Sequence, residues 1–252
     1  MNTNTLRGNG RNKPLNLEID SMLVLSGLFE AKETNREIVA VFQNRFKVES
    51  ENIVSMDLCG FNSVSEVVDA IQLEINKLPG RILLAGHSAG AQLLTKHFAC
   101  NPKVKLVVNI NGPPHNPCSY PVWLWTSTLK YFSKLISGKS FMIDTETSRK
   151  LFGKALPDSL SVPCAPRIIL SMNLGCLWGN SGPKKEERSK RHSRVLYVAT
   201  KGDKLIKPSV VEKMAKKYGG SFLLLDWPDH FPQIGARATR NIRETLFAIE
   251  DM

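Results

Sequence analysis

Arg81-Ile82-Leu83-Leu84-Ala85-Gly86-His87-Ser88-Ala89-Gly90-Ala91 decides how the rest of the chain is read. Arg81 to Ala85 has the length and apolar character of a buried strand, and Ala89 to Cys100 reads as a helix. Between them lies Gly86-His87-Ser88-Ala89-Gly90, a strand-to-helix turn so abrupt that the chain passes close to itself. Only small residues fit two places before and two places after the serine, and the serine's own backbone is strained. The turn predicts that the Ser88 hydroxyl stands at the carboxyl edge of a sheet. Ala89 N–H, at the start of the helix, then faces any negative charge that develops beside that hydroxyl.

The same alternation of strand and helix continues on both sides. Upstream, Met22 to Leu25 reads as a strand, and Thr34 with Glu37 forms a capping box opening a helix through Phe46. Ile53 to Met56 reads as the next strand. Ser63 with Glu66 caps a helix whose apolar positions Val64, Val67, Val68, Ile71, Ile75 and Leu78 fit a period of about 3.6. Downstream, Lys105 to Ile110 is a strand, and after a break so is Val195 to Val198. Pro208 with a Ser209/Glu212 capping box opens a helix, Phe222 to Leu225 is a strand, and Ala238, Ile242, Leu246 and Ile249 mark a last helix. This rhythm predicts an α/β fold with a mostly parallel, doubly wound sheet covered on both faces.

The break, residues 112–193, reads as an inserted, mainly helical cap. Trp125, Leu129, Phe132 and Ile136 mark one amphipathic helix in it, and Pro157, Pro163, Pro166 and Pro183 punctuate the rest. The core is expected over 14–111 and 194–252. Residues 1–13 have almost no apolar side chain and are expected to form a mobile tail.

With 252 residues, 42% hydrophobic and 23% charged, the chain suits one globular domain, and collagen-like, coiled-coil and disordered classes are excluded. No apolar run reaches the length of about 18 residues that spans a bilayer, and no signal peptide is read at the start, so a cytoplasmic protein is expected. Cys59, Cys100, Cys118, Cys164 and Cys176 are scattered without a Cys-x-x-Cys pair, which predicts neither a disulfide framework nor a zinc site. The net charge of +11 would draw anionic partners, but no nucleic-acid-binding motif accompanies it. The basic run Lys184 to Arg194 reads as an exposed connecting segment.

A serine nucleophile needs a base, and the base needs an orienting carboxylate. His230, in Asp226-Trp227-Pro228-Asp229-His230-Phe231-Pro232, follows the final strand and is the base candidate. His97 falls within a helix, His115 opens the insertion and His192 lies in the basic run. Asp203 follows the strand Val195 to Val198 and is the carboxylate candidate, with Asp226 and Asp229 as alternatives. The chain order Ser88, Asp203, His230 differs from the two protease orders.

With Leu23-Val24-Leu25-Ser26-Gly27-Leu28, Gly202-Asp203 with Pro208, and His230-Phe231-Pro232, the chain resembles the α/β-hydrolase superfamily from about Pro14 to the C-terminus, the insertion apart. The resemblance implies Ser88 as nucleophile, Asp203 as acid and His230 as base, with a cap shaping the pocket. Ser26-Gly27-Leu28 resembles an oxyanion turn that usually reads His-Gly-x, so Leu28 N–H joins Ala89 N–H as a donor. Gly27, His87, Trp125 and Phe132 are expected around the substrate. Only Pro14 to Asp20 is left for the two edge strands that begin this fold. The expected activity is hydrolysis of an apolar or aromatic small-molecule ester through an acyl-enzyme, by a monomer or homodimer, without metal or cofactor. Two other readings stand beside it. One is a thioesterase or esterase for substrates carried by coenzyme A or an acidic acyl carrier protein, drawn by Lys184, Lys185, Arg188, Lys190 and Arg191. The other is a non-hydrolytic ligand-binding protein or lyase on the same fold.

Overall fold

The computed structural model describes residues 17–114, 131, 133, 137–169 and 192–252. Ser21–Leu25 (β1), Ile53–Met56 (β2), Ile82–His87 (β3), Val104–Ile110 (β4), Arg194–Thr200 (β5) and Ser221–Leu225 (β6) are the strands. They form one sheet in the order β2-β1-β3-β4-β5-β6, with every neighbouring pair parallel. Arg36–Phe46 (α1), Val64–Lys77 (α2), Ser88–Phe98 (α3), Thr145–Phe152 (α4), Pro208–Tyr218 (α5) and Ala238–Glu250 (α6) are α-helices, and short 3₁₀ turns span Lys32–Asn35, Ser50–Asn52 and Asp158–Leu160. Of the stretch before β1 only residues 17–20 are described, and they carry no strand.

A parallel sheet wrapped by crossover helices buries both faces, so its strands are apolar at successive positions. In β1, Leu23 and Leu25 point to one face, where they pack with Val67, Ile71 and Ile75 of α2, Leu94 of α3 and Val211 of α5. Met22 and Val24 point to the other face, with Ile38 and Phe42 of α1 and Ile242, Leu246 and Ile249 of α6. The chain therefore leaves β1 and β3 toward opposite faces. A crevice opens between the carboxyl ends of two such strands, and this is where open α/β sheets place their ligands. Leu25 pairs with Gly86 and His87 with Ile110, so the loops after β1, β3 and β4 leave from one edge.

The capping expectations divide. Ser63 Oγ accepts Glu66 N–H at 3.2 Å, and the Glu66 carboxylate accepts Asn62 N–H at 2.9 Å, so α2 starts as predicted. The Thr34/Glu37 box does not form: a single turn of 3₁₀ helix, Lys32–Asn35, precedes α1. Thr34 and Asn35 are buried against the turn after β1. There Thr34 Oγ1 donates to Ala31 O at 2.8 Å, Asn35 Nδ2 donates to Ser26 Oγ at 3.0 Å, and Glu37 instead takes the Thr239 hydroxyl at 2.6 Å. The Ser209/Glu212 box does not form either. Pro208 is the first helical residue of α5, which puts Ser209 inside the helix, and Glu212 pairs with Lys216 at 2.6 Å.

Cysteine spacing also misled. Cys59, just after β2, and Cys164, between β4 and β5, form a disulfide across 105 positions of sequence. Folding brings the two together by pairing Phe141 with Cys164 and Glu30 with Ser161 as antiparallel bridges. The expected tail at 1–13 and the helix marked by Trp125 and Phe132 lie outside the described residues, as do Lys184, Lys185, Arg188, Lys190 and Arg191. Among the described residues no helix is long and apolar enough to cross a membrane.

Candidate active site

Ser88 is the first residue of α3 and has φ of +50°, a left-handed conformation that costs a non-glycine residue about 1–3 kcal/mol. Its neighbours make this turn feasible. A Cβ added at Gly86 would lie 2.7 Å from Ala91 N, and one at Gly90 would collide with the carbonyl oxygen of Ser26. The turn after β1 also comes against the serine, since a Cβ on Gly27 would lie 2.9 Å from Ser88 Cβ. Two main-chain N–H groups belong to residues next to this contact, since Ala89 follows Ser88 and Leu28 follows Gly27. Ala89 N–H is in the first turn of α3, where no intrahelical acceptor exists, and Leu28 N–H makes no hydrogen bond to the described residues.

Asp203 and His230, remote in sequence, meet at this edge. Asp203 Oδ2 lies 2.6 Å from His230 Nδ1, and both side chains are fully buried. The other carboxylate oxygen, Oδ1, accepts Leu205 N–H at 2.8 Å and Ile206 N–H at 2.9 Å, which fixes the carboxylate before the imidazole is added. A carboxylate accepts, so Nδ1 donates and the free lone pair is on Nε2. His230 Nε2 is buried and makes no hydrogen bond to any described residue, Ser88 Oγ included. Bonds of this kind often tighten only when substrate arrives.

The alternative carboxylates are engaged elsewhere. Asp229 Oδ1 accepts Trp227 Nε1–H at 3.0 Å and Phe231 N–H at 2.7 Å, which ties off its own loop. Asp226 is exposed and faces Lys201 at 3.5 Å. Neither touches the imidazole.

The main chain of His230 is held from three sides. Its N–H donates to Phe152 O at 3.0 Å, and its carbonyl oxygen accepts from His87 Nε2 and from Asn111 Nδ2, each at 2.8 Å. Phe152 also stacks on the imidazole, with ring centroids 5.4 Å apart. Asn111, with φ of +49° directly after β4, accepts Thr200 N–H at 2.9 Å through Oδ1.

His87 is not where a substrate-lining residue would be. Its side chain is wholly buried and both ring nitrogens are engaged: Nδ1 lies 2.8 and 2.9 Å from the two oxygens of Glu30. Burial works against a charge on this imidazole. The Glu30 carboxylate and its hydrogen bond, with the His230 carbonyl, outweigh burial and raise the pKa above the ordinary histidine value. Glu30 carried no motif and drew no expectation, although an acidic residue directly after Leu28-Phe29 in an otherwise apolar stretch was the available signal. Gly27 adjoins Ser88, whereas Trp125 and Phe132 lie outside the described residues.

Phe29 has φ of +64°, and its N–H lies 3.2 Å from Cys59 Sγ and 3.0 Å from Cys164 Sγ. Its carbonyl accepts Val162 N–H at 3.1 Å, and Ala31 N–H donates to Leu160 O at 2.9 Å. The turn carrying Leu28 is thereby joined to the segment between β4 and β5. Among the described residues no cluster of side chains could hold a metal ion.

No family model matches the chain, and no curated protein matches it in sequence. Solved structures do match. A methylesterase from Arabidopsis is 15% identical with a TM-score of 0.66, covering 92% of this chain and 100% of its own. A pyrethroid hydrolase from Sphingobium faniae is 15% identical with a TM-score of 0.64, covering 92% of this chain and 98% of its own. A monoacylglycerol lipase from Paleococcus ferrophilus is 14% identical with a TM-score of 0.60, covering 94% of this chain and 98% of its own.

Proposed function

The chain has the α/β-hydrolase fold, and from that premise we propose that it is a serine hydrolase cleaving small-molecule carboxylic esters through an acyl-enzyme. The observation that carries this reading is the buried Asp203–His230 pair, whose Nε2 has no hydrogen-bond partner among the described residues, at the sheet edge that also presents Ser88. In the first step His230 Nε2 takes the Ser88 proton as Oγ attacks the ester carbon. Asp203 keeps the imidazole in the tautomer with the proton on Nδ1 and balances the charge it gains. The oxyanion is held by Leu28 N–H and Ala89 N–H. His230 then returns its proton to the departing alcohol, and an ester links the acyl group to Ser88. Water, deprotonated by the same nitrogen, attacks the acyl carbon, and as the Ser88 Oγ–acyl bond breaks His230 returns the proton to Oγ and the acid leaves. In such sites one oxyanion donor contributes about 3–4 kcal/mol to the barrier difference.

The methylesterase, pyrethroid hydrolase and lipase named above support ester chemistry as the class. The test is a fluorophosphonate probe with mass identification of the modified residue. Labelling of Ser88, abolished in Ser88→Ala and accompanied by turnover of short p-nitrophenyl esters, is the expected result. Equal labelling of both proteins would refute the nucleophile, and acyl-CoA turnover far above that of simple esters would move the substrate to a carrier thioester.

A further inference from the structure

We propose that Glu30 and His87 are positioning residues, a buried carboxylate–imidazolium pair that fixes the oxyanion turn and the His230 main chain about Ser88. Its functional part rests on the serine-hydrolase reading above; its charge state does not.

The charge state follows from the acceptors. His87 Nε2 points at the carbonyl oxygen of His230 from 2.8 Å, and a carbonyl oxygen only accepts, so Nε2 carries a proton. Nδ1 sits almost midway between the two Glu30 oxygens, at 2.8 and 2.9 Å. Equal sharing of one N–H by both oxygens is the geometry of an ionised carboxylate, so Nδ1 carries a proton as well. Glu30 is 1% exposed and His87 is not exposed at all, which leaves no water to take over for either partner. Removing one side would strand the other as an uncompensated buried charge.

The pair connects the two halves of the site. Glu30 ends the turn that begins at Gly27. A Cβ on Gly27 would collide with Glu30 Oε1 on one side and come within 2.9 Å of Ser88 Cβ on the other, so the carboxylate is packed just behind the oxyanion turn. Alone, that negative charge would oppose the one forming at Leu28 N–H and Ala89 N–H. The imidazolium cancels it. From its other nitrogen the same ring grips the His230 carbonyl, and the two imidazoles lie with centroids 4.7 Å apart. The groups facing His87 are Glu30 from the loop after β1, His230 and Phe231 from the loop after β6, and at longer range Asp203 from the loop after β5.

The experiment combines nitrogen-15 NMR of labelled histidine with kinetics of Glu30→Gln and Glu30→Asp. In the wild-type protein near neutral pH, His87 should show both ring nitrogens protonated. Glu30→Gln should convert it to a neutral ring, and Glu30→Asp should keep the charge. A neutral His87 in the wild type would overturn the proposal without any variant needing to fold. With p-nitrophenyl acetate, Glu30→Gln should lower kcat by about tenfold or more with KM within about threefold, and Glu30→Asp should restore much of the loss. A wild-type kcat in Glu30→Gln would also overturn it. Absence of Ser88 labelling in the wild type would instead defeat the hydrolase reading, and the NMR result would still decide the charge pair.

Discussion

The side-chain amide of Asn111 is 2.8 Å from the carbonyl oxygen of His230, across 119 positions of sequence. Asn111 sits in left-handed backbone at the end of β4, a conformation that asparagine tolerates better than most residues, and it also bonds both the main-chain N–H and the hydroxyl of Thr200. The loop that carries the proposed base is thus held by the sheet edge as well as by its own Asp229.

Two variants separate the backbone role of Asn111 from its side-chain role. Asn111→Gly keeps the left-handed turn open but removes the hydrogen bonds, and should cost about 1–3 kcal/mol in urea unfolding, with a fall in ester turnover. Asn111→Ala adds the strain of a Cβ at positive φ and should cost more. Equal stability of Asn111→Gly and wild type would remove this clamp from the account.

Ser88 predicts a conflict between stability and chemistry. Its φ of +50° is one that glycine adopts without penalty, so Ser88→Gly should raise the unfolding free energy by about 1 kcal/mol while abolishing probe labelling and ester turnover. Denaturation midpoints of the two proteins, measured side by side, check it. A less stable Ser88→Gly would show that the turn is not strained.

The fold was legible because its strands are buried on both faces. Ile82 to Ala85 and Leu106 to Val108 read as continuous apolar runs, and helix α2 announces itself through Ser63 and Glu66, four places apart at most from everything that caps it. The Thr34 and Ser209 boxes have the same local form and fail for tertiary or positional reasons: Thr34 is captured by the turn after β1, and Pro208 already occupies the first helical position. The sequence favours Asp203 over Asp226 and Asp229 for its place after the strand Val195 to Val198, and the position of one imidazole, 2.6 Å from Asp203, is what separates them. Glu30 with His87 and Cys59 with Cys164 were out of reach, being separated by 57 and 105 positions and belonging to residue types that ordinarily face solvent or stand alone.

The buried pair gives a pH signature. His87 is held above the ordinary histidine pKa, because attraction to Glu30 and its hydrogen bonds outweigh burial. The folded state therefore keeps a proton that the unfolded chain releases near pH 6.5. That stabilisation is complete below about pH 6.5 and is lost as pH rises through the folded-state pKa. Urea unfolding of the wild type between pH 6 and 9 should show a decline that Glu30→Gln lacks. Parallel profiles for the two proteins would contradict it.

The Cys59–Cys164 bond closes a loop spanning 105 positions. On the chain-entropy model a closure of that size stabilises by about 4.7 kcal/mol, with typical measured values of about 2–4 kcal/mol. Thermal unfolding with and without dithiothreitol, and of a Cys59→Ser variant, should show a large drop in Tm in both cases. An unchanged Tm under reductant, with the thiols shown to be free, would count against a structural bond.

The two main-chain hydrogen bonds between 29–31 and 160–162 have a mechanical meaning. Leu28 is one residue from the first of them, so a displacement of that strip pulls on the amide proposed to hold the oxyanion. On the hydrolase reading, the setting of the Leu28 amide and the position of residues 160–162 are therefore one mechanical variable.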